Sequence, residues 1–218
     1  MAYGVTFRNN FDTVTLDSEF ARLVVLDRGT WSGTGSGVFV PFSSTVTTDE
    51  PPLVFVRPDY QSTLYFCVIT GTAGAWTGFS FHAIVGQATA GKWFAAAFQA
   101  KPTAVYGFRI WDGAGKLLFD SGTPCAQFTR TINAWTYLGS SREPQGQNVL
   151  SWTAPSSLVS GDYMLLNNVA MDIAGGISRQ GNMYAIFDYA NDRIVMQAVG
   201  VDLSMAFYMP VVFAKPVS

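Results

Sequence analysis

The chain has 218 residues; 49% are hydrophobic, 15% are aromatic and only 13% are charged, and the net charge is −2. Lysine and arginine occur one at a time along the sequence. This argues against nucleic-acid binding and against attachment to an anionic membrane, because both need clustered positive charge. No apolar run approaches the roughly 20 residues that a transmembrane helix requires, so membrane insertion is not expected.

The scarcity of charge has a consequence for the surface. Ordinary globular domains contain about 25% charged residues, so this chain has too few of them to cover its outside. We expect part of its apolar surface to be covered by another subunit or by a neighbouring protein. The alternative is a large core beneath a surface of serine, threonine, asparagine and glutamine.

The first half of the chain consists of apolar segments of strand length separated by turn residues. We predict a flexible loop at residues 27–37, which ends in glycine and serine, and a glycine-rich turn at residues 71–78. The loop does not match a phosphate-binding loop, because a strand rather than a helix follows it. After a hairpin at residues 3–18, strands are predicted at residues 20–26, 38–42, 53–58, 63–70, 79–85 and 92–98.

The second half begins at Lys101-Pro102-Thr103, so we predict one domain at residues 1–102 and another at residues 103–218. Residues 133–146 form a long polar stretch, and Ala190-Asn191-Asp192 joins two strands as a hairpin turn. Pro210 lies inside the last predicted strand, which places that strand at a sheet edge or at a bulge. After a hairpin at residues 106–121, strands are predicted at residues 126–132, 149–152, 163–166, 183–187, 194–198 and 205–214.

The hairpin at residues 106–121 is the most clearly patterned segment. Phe108 and Ile110 alternate with Arg109, as in a half-buried strand. The turn from Asp112 to Gly115 contains residues that can adopt the positive φ angles of a tight hairpin.

A similar segment lies at the N-terminus. Tyr3-Gly4 corresponds to Tyr106-Gly107, and Leu16-Asp17-Ser18 corresponds to Phe119-Asp120-Ser121 with the same spacing. The two segments lie about half the chain length apart, which points to an internal duplication.

The sequence contains no amphipathic helical pattern of about ten residues or more. Short strands spaced by turn residues predict an all-β, antiparallel β-sandwich with two similar halves. The alternative is one large sandwich that happens to begin two edge hairpins alike.

Little in the sequence points to catalysis. His82 is the single histidine, and its alternating strand carries no nucleophile-elbow pattern. One histidine with two distant cysteines, Cys67 and Cys125, lacks the spacing of a zinc site. The cysteines are expected to be buried free thiols of a protein made in a reducing compartment. We therefore expect no enzymatic activity, no cofactor and no metal.

The acidic residues leave alternatives open. Asp172 lies near two glycines that indicate a turn, and Asp188, Asn191 and Asp192 suit a hairpin turn better than a calcium loop, whose spacing is absent. Asp17 and Asp120 hold matching positions before a serine. Each is either a turn cap or, in the functional alternative, half of a paired acidic site.

Four aromatic residues lie in or beside glycine-, serine-, threonine- and asparagine-rich segments: Trp31, Trp76, Trp135 and Tyr137. Aromatic rings with polar neighbours suit binding surfaces, because they bury a large area at little entropic cost. These four are the candidate interaction surface, for a sugar ring or for another subunit. The alternative is that they cap the core.

Three segments carry a resemblance to a known family: residues 106–121, the opening Met1-Ala2-Tyr3-Gly4, and residues 50–58. They resemble segments of small tail-tip and tail-fibre-associated proteins of tailed bacteriophages, both siphophages and prophages. The resemblance implies a place in the distal tail, at the baseplate, tail tip or fibre. It carries over no catalytic residues.

We therefore expect a non-enzymatic virion protein, made in the host cytoplasm, that assembles with itself, for example as a trimer, and with other phage tail proteins. Contact with a host cell-surface glycan or protein is a further expectation. The alternatives are a carbohydrate-binding module that uses the loop aromatics, a polysaccharide-degrading enzyme and a capsid decoration protein.

Overall fold

The computed structural model describes residues 6–8, 10, 12, 14–17, 22–34, 37–84, 87–144, 146–156, 158, 161–169, 181–200 and 206–217. Within these residues the regular structure is almost entirely β-strand, with a short 3₁₀ turn at Asn167–Val169 and no α-helix. The strands are β1 (Thr6–Arg8), β2 (Val14–Asp17), β3 (Leu23–Thr34), β4 (Val38–Val46), β5 (Leu53–Pro58), β6 (Ser62–Thr72), β7 (Ala75–His82), β8 (Ala88–Phe98), β9 (Arg109–Trp111), β10 (Leu117–Asp120), β11 (Cys125–Ile132), β12 (Thr136–Arg142), β13 (Asn148–Pro155), β14 (Tyr163–Leu165), β15 (Asn182–Asp188), β16 (Arg193–Val199) and β17 (Val211–Val217).

Two large antiparallel sheets pack together, which confirms the predicted all-β sandwich. Sheet one has the strand order β3-β8-β5-β14-β17-β11, and it curls until Cys125 of β11 pairs with Val24 of β3. Sheet two has the order β4-β7-β6-β15-β16-β13-β12. The hairpins β1-β2 and β9-β10 each form a small sheet of their own.

The strand order has an internal twofold pattern. In sheet one, the order outward from the centre is β5-β8-β3 on one side and β14-β17-β11 on the other. In sheet two it is β6-β7-β4 on one side and β15-β16-β13 on the other, and β12 is an extra strand beyond β13. The predicted boundary at residues 102/103 lies between these two sets. The halves join edge to edge three times, through the β5–β14 and β6–β15 pairs and, at a single residue pair, through β3 and β11, so they share both sheets.

The two hairpins also correspond in detail. In each hairpin the first residue of the first strand pairs with the aspartate that ends the second strand. In each, the register also shifts by one residue before the third pair. The matching pairs are Thr6–Asp17 with Arg109–Asp120, Phe7–Leu16 with Ile110–Phe119, and Arg8–Val14 with Trp111–Leu117. Identical register and bulge position support the internal duplication, because turn geometry and bulges fix register.

The core has two principal parts. The larger part lies between the sheets and includes Phe79 and Phe81 of β7, whose neighbours Ser80 and His82 face outward as the alternation predicts. A second cluster, around Phe55 and Phe94, is built only from strands of sheet one and lies on its other face. β5 is therefore buried on both faces, which explains its unbroken apolar run.

The predicted loop at residues 27–37 is wrong over most of its length, because β3 extends to Thr34. Gly29 of β3 pairs with Trp93 of β8, and Trp31 of β3 pairs with Gly91 of β8. In each pair a glycine lies opposite a tryptophan ring. A Cβ on Gly91 would lie 2.3 Å from the Trp31 ring. The small residues make room for tryptophan within a strand, and they do not make the segment a loop.

Three further predictions need correction. The predicted turn at residues 71–78 is shorter, since β6 continues to Thr72 and β7 begins at Ala75. The polar stretch at residues 133–146 contains β12, which pairs with β13 in sheet two. Pro210 lies before β17, and β17 pairs on both sides, with β11 and β14, so it is not an edge strand.

The described residues contain no helix that is long and apolar enough to cross a membrane.

Candidate interaction surfaces

The four aromatic residues singled out in the sequence pack into the sandwich. Trp31 is buried in β3, its Nε1 donates to Thr89 Oγ1 at 3.2 Å, and its ring meets Phe81 edge to face at 5.6 Å. Trp31 is therefore not available to a partner.

The other three are half-buried at the margins of the core. Trp76 Nε1 donates to the Thr48 carbonyl and Trp135 Nε1 donates to the Met209 carbonyl, each at 2.8 Å. The Tyr137 ring lies 6.0 Å from Trp152, which is fully buried. Their positions match the alternative that these rings cap the core.

The β9-β10 hairpin is built as predicted, around its turn. Asp112 Oδ1 accepts hydrogen bonds from the backbone N–H groups of Ala114 and Lys116, at 2.9 and 2.8 Å, and Gly115 has a φ of 80°. An aspartate that bonds to the backbone just after it is the usual way to start a tight turn. The turn residues therefore determine where the chain reverses.

Asp120 holds the base of the hairpin. Its buried carboxylate accepts Arg109 Nε at 2.7 Å and the backbone N–H groups of Gly122 and Ala104 at 2.8 and 3.1 Å. Burial alone would raise the pKa of Asp120, but these hydrogen bonds, with one from Thr103, outweigh burial and lower the pKa to about 2. The turn-cap interpretation is confirmed for Asp120; the side chain of Asp17 lies outside the described residues.

Gly107 and Ser121 explain the rest of the motif. Ser121 Oγ accepts the backbone N–H of Phe108 at 2.9 Å. Gly107 has a φ of 151°, and a Cβ built on it would lie 2.1 Å from Ser121 Oγ. A side chain at position 107 would therefore clash with Ser121, which holds the two ends of the hairpin together.

The same hairpin carries an exposed apolar surface, which we call the hairpin patch: Val105, Tyr106, Phe108 and Trp111. Tyr106 is 92% exposed and Val105 is 89% exposed. Val105, Phe108 and Trp111 line one shallow groove of about 330 Å³ together with Arg109, whose guanidinium is paired with Asp120. Exposed apolar side chains grouped in this way make the hairpin patch a candidate interaction surface.

A second aromatic cluster lies on the outer face of sheet two, and we call it the aromatic platform: Tyr65, Phe66, His82 and Tyr184. The rings of Tyr65 and Tyr184 stack with their centroids 4.5 Å apart. The His82 ring lies 5.5 Å from Tyr65 and 5.3 Å from Phe66. The platform spans the β6–β15 pair, where the two halves of the chain meet.

Phe66 has an unusual backbone. Its φ is 50°, and it lies in a bulge of β6 between Tyr65 and Val68. A bulky residue seldom adopts this left-handed conformation, and a bulge redirects a side chain from its normal face. The Phe66 side chain is 42% exposed.

A polar groove of about 380 Å³ adjoins the platform at Gln197, which lines the groove and pairs directly with Tyr184. Its walls come from β12, β13, β15 and β16 and include Ser151 and Gln197, whose Nε2 donates to Ser151 Oγ at 3.1 Å. Asp188 and Arg193 lie at one end and are paired at 2.8 Å. The hydrogen bond from Arg193, followed by that from Asn191, lowers the pKa of Asp188.

The remaining candidate groups show no converging chemistry. Cys67 is buried, which raises its thiol pKa, and Cys125 is half-buried; both are free, as predicted, but only Cys67 is fully buried. Asp192 Oδ1 accepts the Leu158 N–H at 2.6 Å, so this carboxylate connects its turn to a segment 34 residues away. Among the residues that the structure describes, no group of three or more histidine, cysteine or acidic residues could hold a metal ion. Asp172 lies outside those residues.

Sequence reasoning missed both surfaces. Tyr106 and Phe108 were used to recognise the hairpin, but their exposure depends on how the hairpin lies against the sandwich. For the platform, the outward alternation of Ser80 and His82 was a usable signal, since it placed His82 on the outer face. The position of Tyr184 beside it could not be predicted, because it depends on the β6–β15 register.

No protein-family model matches this chain, and neither a curated protein nor a solved structure matches it.

Proposed function

We propose that this chain is a non-enzymatic structural protein of the virion of a tailed bacteriophage, placed at the tail tip, baseplate or fibre. It assembles with itself and with other tail proteins after synthesis in the host cytoplasm. The observation that supports this most is the exposed hairpin patch on a chain with only 13% charged residues. Tyr106, Phe108 and Trp111 of the patch lie in the segment that resembles tail-tip and tail-fibre-associated proteins.

The first partner of the patch is a second copy of the chain. Large aromatic side chains dominate protein interfaces, because they bury 150–250 Å² each. The net charge of −2 lets two copies approach without strong repulsion. The charged group in the groove, Arg109, is already neutralised by Asp120, so a partner need not supply a counter-charge.

Sedimentation of two variants tests this proposal. Tyr106→Ser combined with Trp111→Ser removes the two most exposed rings of the patch, and we expect the wild-type oligomer to dissociate to monomer. Tyr208→Ser is the matched control, because Tyr208 is 84% exposed but belongs to the segment before β17 and not to the hairpin. Thermal unfolding midpoints should stay within a few degrees of the wild type, since the replaced rings are outside the core.

Electron microscopy of purified virions with an antibody label gives the position in the particle. Label at the distal tail supports the proposal, and label on the capsid favours the decoration alternative. Wild-type protein that stays monomeric at high concentration, and that is missing from purified virions, contradicts it.

A further inference from the structure

The outer face of sheet two carries one continuous row of paired residues, which we call the cross-strand row. Each member lies directly opposite the next, from an aromatic end to a polar end. The row is His82, Tyr65, Tyr184, Gln197, Ser151 and Gly139, on β7, β6, β15, β16, β13 and β12. Six neighbouring strands place its ends roughly 24 Å apart, which is long enough for an extended ligand.

The chemistry of the row changes along its length. Tyr65 and Tyr184 stack on each other, so the platform offers a ligand the exposed Phe66 ring and the sides of the two tyrosine rings that face away from each other. Ring faces carry partial negative charge and attract polarised C–H groups. The groove beside it offers the amide of Gln197 and the hydroxyl of Ser151, which can donate and accept hydrogen bonds. A ligand that suits both ends has an apolar ring face and hydroxyl groups at its edge.

The two charged residues that line the groove are paired with each other. Asp188 and Arg193 neutralise each other at 2.8 Å. Burial and then the nearby Tyr65 and Glu143 raise the pKa of Tyr184, so its hydroxyl stays protonated and remains a donor. An anionic ligand would find no unpaired cation among the described residues that line the groove, and the Glu143 carboxylate near Tyr184 would repel it.

The backbone of Phe66 also points to a binding role. A left-handed phenylalanine is unfavourable by itself and persists only where the surroundings enforce it. Here a bulge in β6 holds the ring against His82, edge to face at 5.3 Å, and leaves it partly exposed beside the row. The conformation enlarges the platform at the cost of regular strand pairing.

We propose that the cross-strand row and the adjoining Phe66 bind a neutral oligosaccharide chain, with sugar rings stacked on the aromatic platform and hydroxyl groups bonded along the polar groove. Nucleic acid, which also stacks on aromatic rings, is disfavoured because the lining has no unpaired cation for phosphate. The inference does not rest on the proposed function, because the isolated protein can be tested whether or not it belongs to a virion.

The test uses the full-length chain on an array of neutral glucan, galactan and mannan oligosaccharides, followed by titration calorimetry with each one that binds. Charged oligosaccharides and a proline-rich peptide are included as competitors. Tyr184→Ser removes one platform ring, and we expect affinity to fall by about tenfold or more. Gln197→Ala removes a groove donor and should weaken binding in the same direction. Tyr208→Ser, an exposed tyrosine elsewhere, should bind as the wild type does.

Binding of a neutral oligosaccharide that both platform and groove variants weaken supports the inference. Phe66→Asn serves as a further platform variant if Tyr184→Ser does not fold, since asparagine tolerates the left-handed conformation. The inference is overturned if no neutral oligosaccharide binds, if binding survives these changes, or if only charged sugars or the peptide bind. Loss of oligomerisation in the hairpin-patch variant, with glycan affinity unchanged, separates this site from the assembly surface.

Discussion

At the scale of single residues, Asp120 connects three parts of the chain: the strand that contains Arg109, the segment at Ala104 and the turn at Gly122. Its role as a cap was predictable, because an aspartate before serine and glycine commonly accepts backbone N–H groups. Its ion pair with Arg109 was not, since that contact depends on strand register.

Lowering the pH should reveal how much the Asp120 carboxylate contributes to the free energy of unfolding. The pKa of Asp120 is lowered in the folded protein from 3.8 to about 2, so the folded state binds fewer protons than the unfolded state in this range. Its stabilisation is therefore complete above about pH 4 and is lost as the pH falls towards 2. Urea unfolding of wild type and Asp120→Asn between pH 2 and 7 measures it.

We expect Asp120→Asn to be less stable at neutral pH and to lose less additional stability below pH 4. Both proteins should still lose some stability as the pH falls, because the pKa of Asp188 is also lowered in the folded state. If the two proteins lose stability in parallel from pH 4 to pH 2, the Asp120 carboxylate does not contribute as described.

At the scale of elements, β3 shows why composition misled the sequence prediction. Residues such as Gly29 and Gly33 suggested a flexible loop, but the decisive fact is what lies opposite them. Trp93 covers Gly29, and Gly91 lies beneath Trp31. A glycine on one strand that makes room for a tryptophan on the next cannot be recognised until the β3–β8 pairing is known. By contrast, β5 was predicted at its observed bounds, because its apolar run is visible in the local sequence.

Gly91→Ala tests this packing. The new Cβ would lie 2.3 Å from the Trp31 ring and 2.5 Å from the Arg57 carbonyl oxygen. β8 is paired on both sides, so neither neighbour can move freely. We expect a loss of about 1–3 kcal/mol in the free energy of unfolding, measured by urea titration.

Gly37→Ala is the control, because a Cβ there meets nothing within 4 Å. It should change the free energy of unfolding by less than about 0.5 kcal/mol. Equal unfolding midpoints for the two variants would show that the Trp31–Gly91 contact is not tightly packed.

At the scale of the whole molecule, local patterns predicted the all-β class and the similarity of the two halves, but not the way in which the halves combine. The strands β5 and β14 meet through Met164–Val56 and Leu165–Phe55. Such pairings between distant residues leave no local signal, because each strand needs only an apolar face to be compatible with many neighbours. The order within each sheet therefore became known only from the structure.

Separate expression of residues 1–102 and 103–218 tests how far the halves depend on each other. Each fragment would expose three strand edges that are paired in the intact chain: β3, β5 and β6 in one, and β11, β14 and β15 in the other. We expect neither to give the dispersed NMR spectrum of a folded monomer, and mixing should restore the spectrum of the whole chain. Two well-dispersed, monomeric fragments would show that the halves are independent domains.

The matched hairpins and the twofold order of the strands also bear on the origin of the chain. An ancestral half with this topology could complete both sheets only by pairing with a second copy of itself, as a homodimer whose stability varied with protein concentration. Joining the copies by the segment between β8 and β9 makes that encounter intramolecular, at the high effective concentration of a tether. After such a fusion the two copies would no longer have to remain identical, which would allow β12 to be present in the second half without a counterpart in the mirrored strand order of the first.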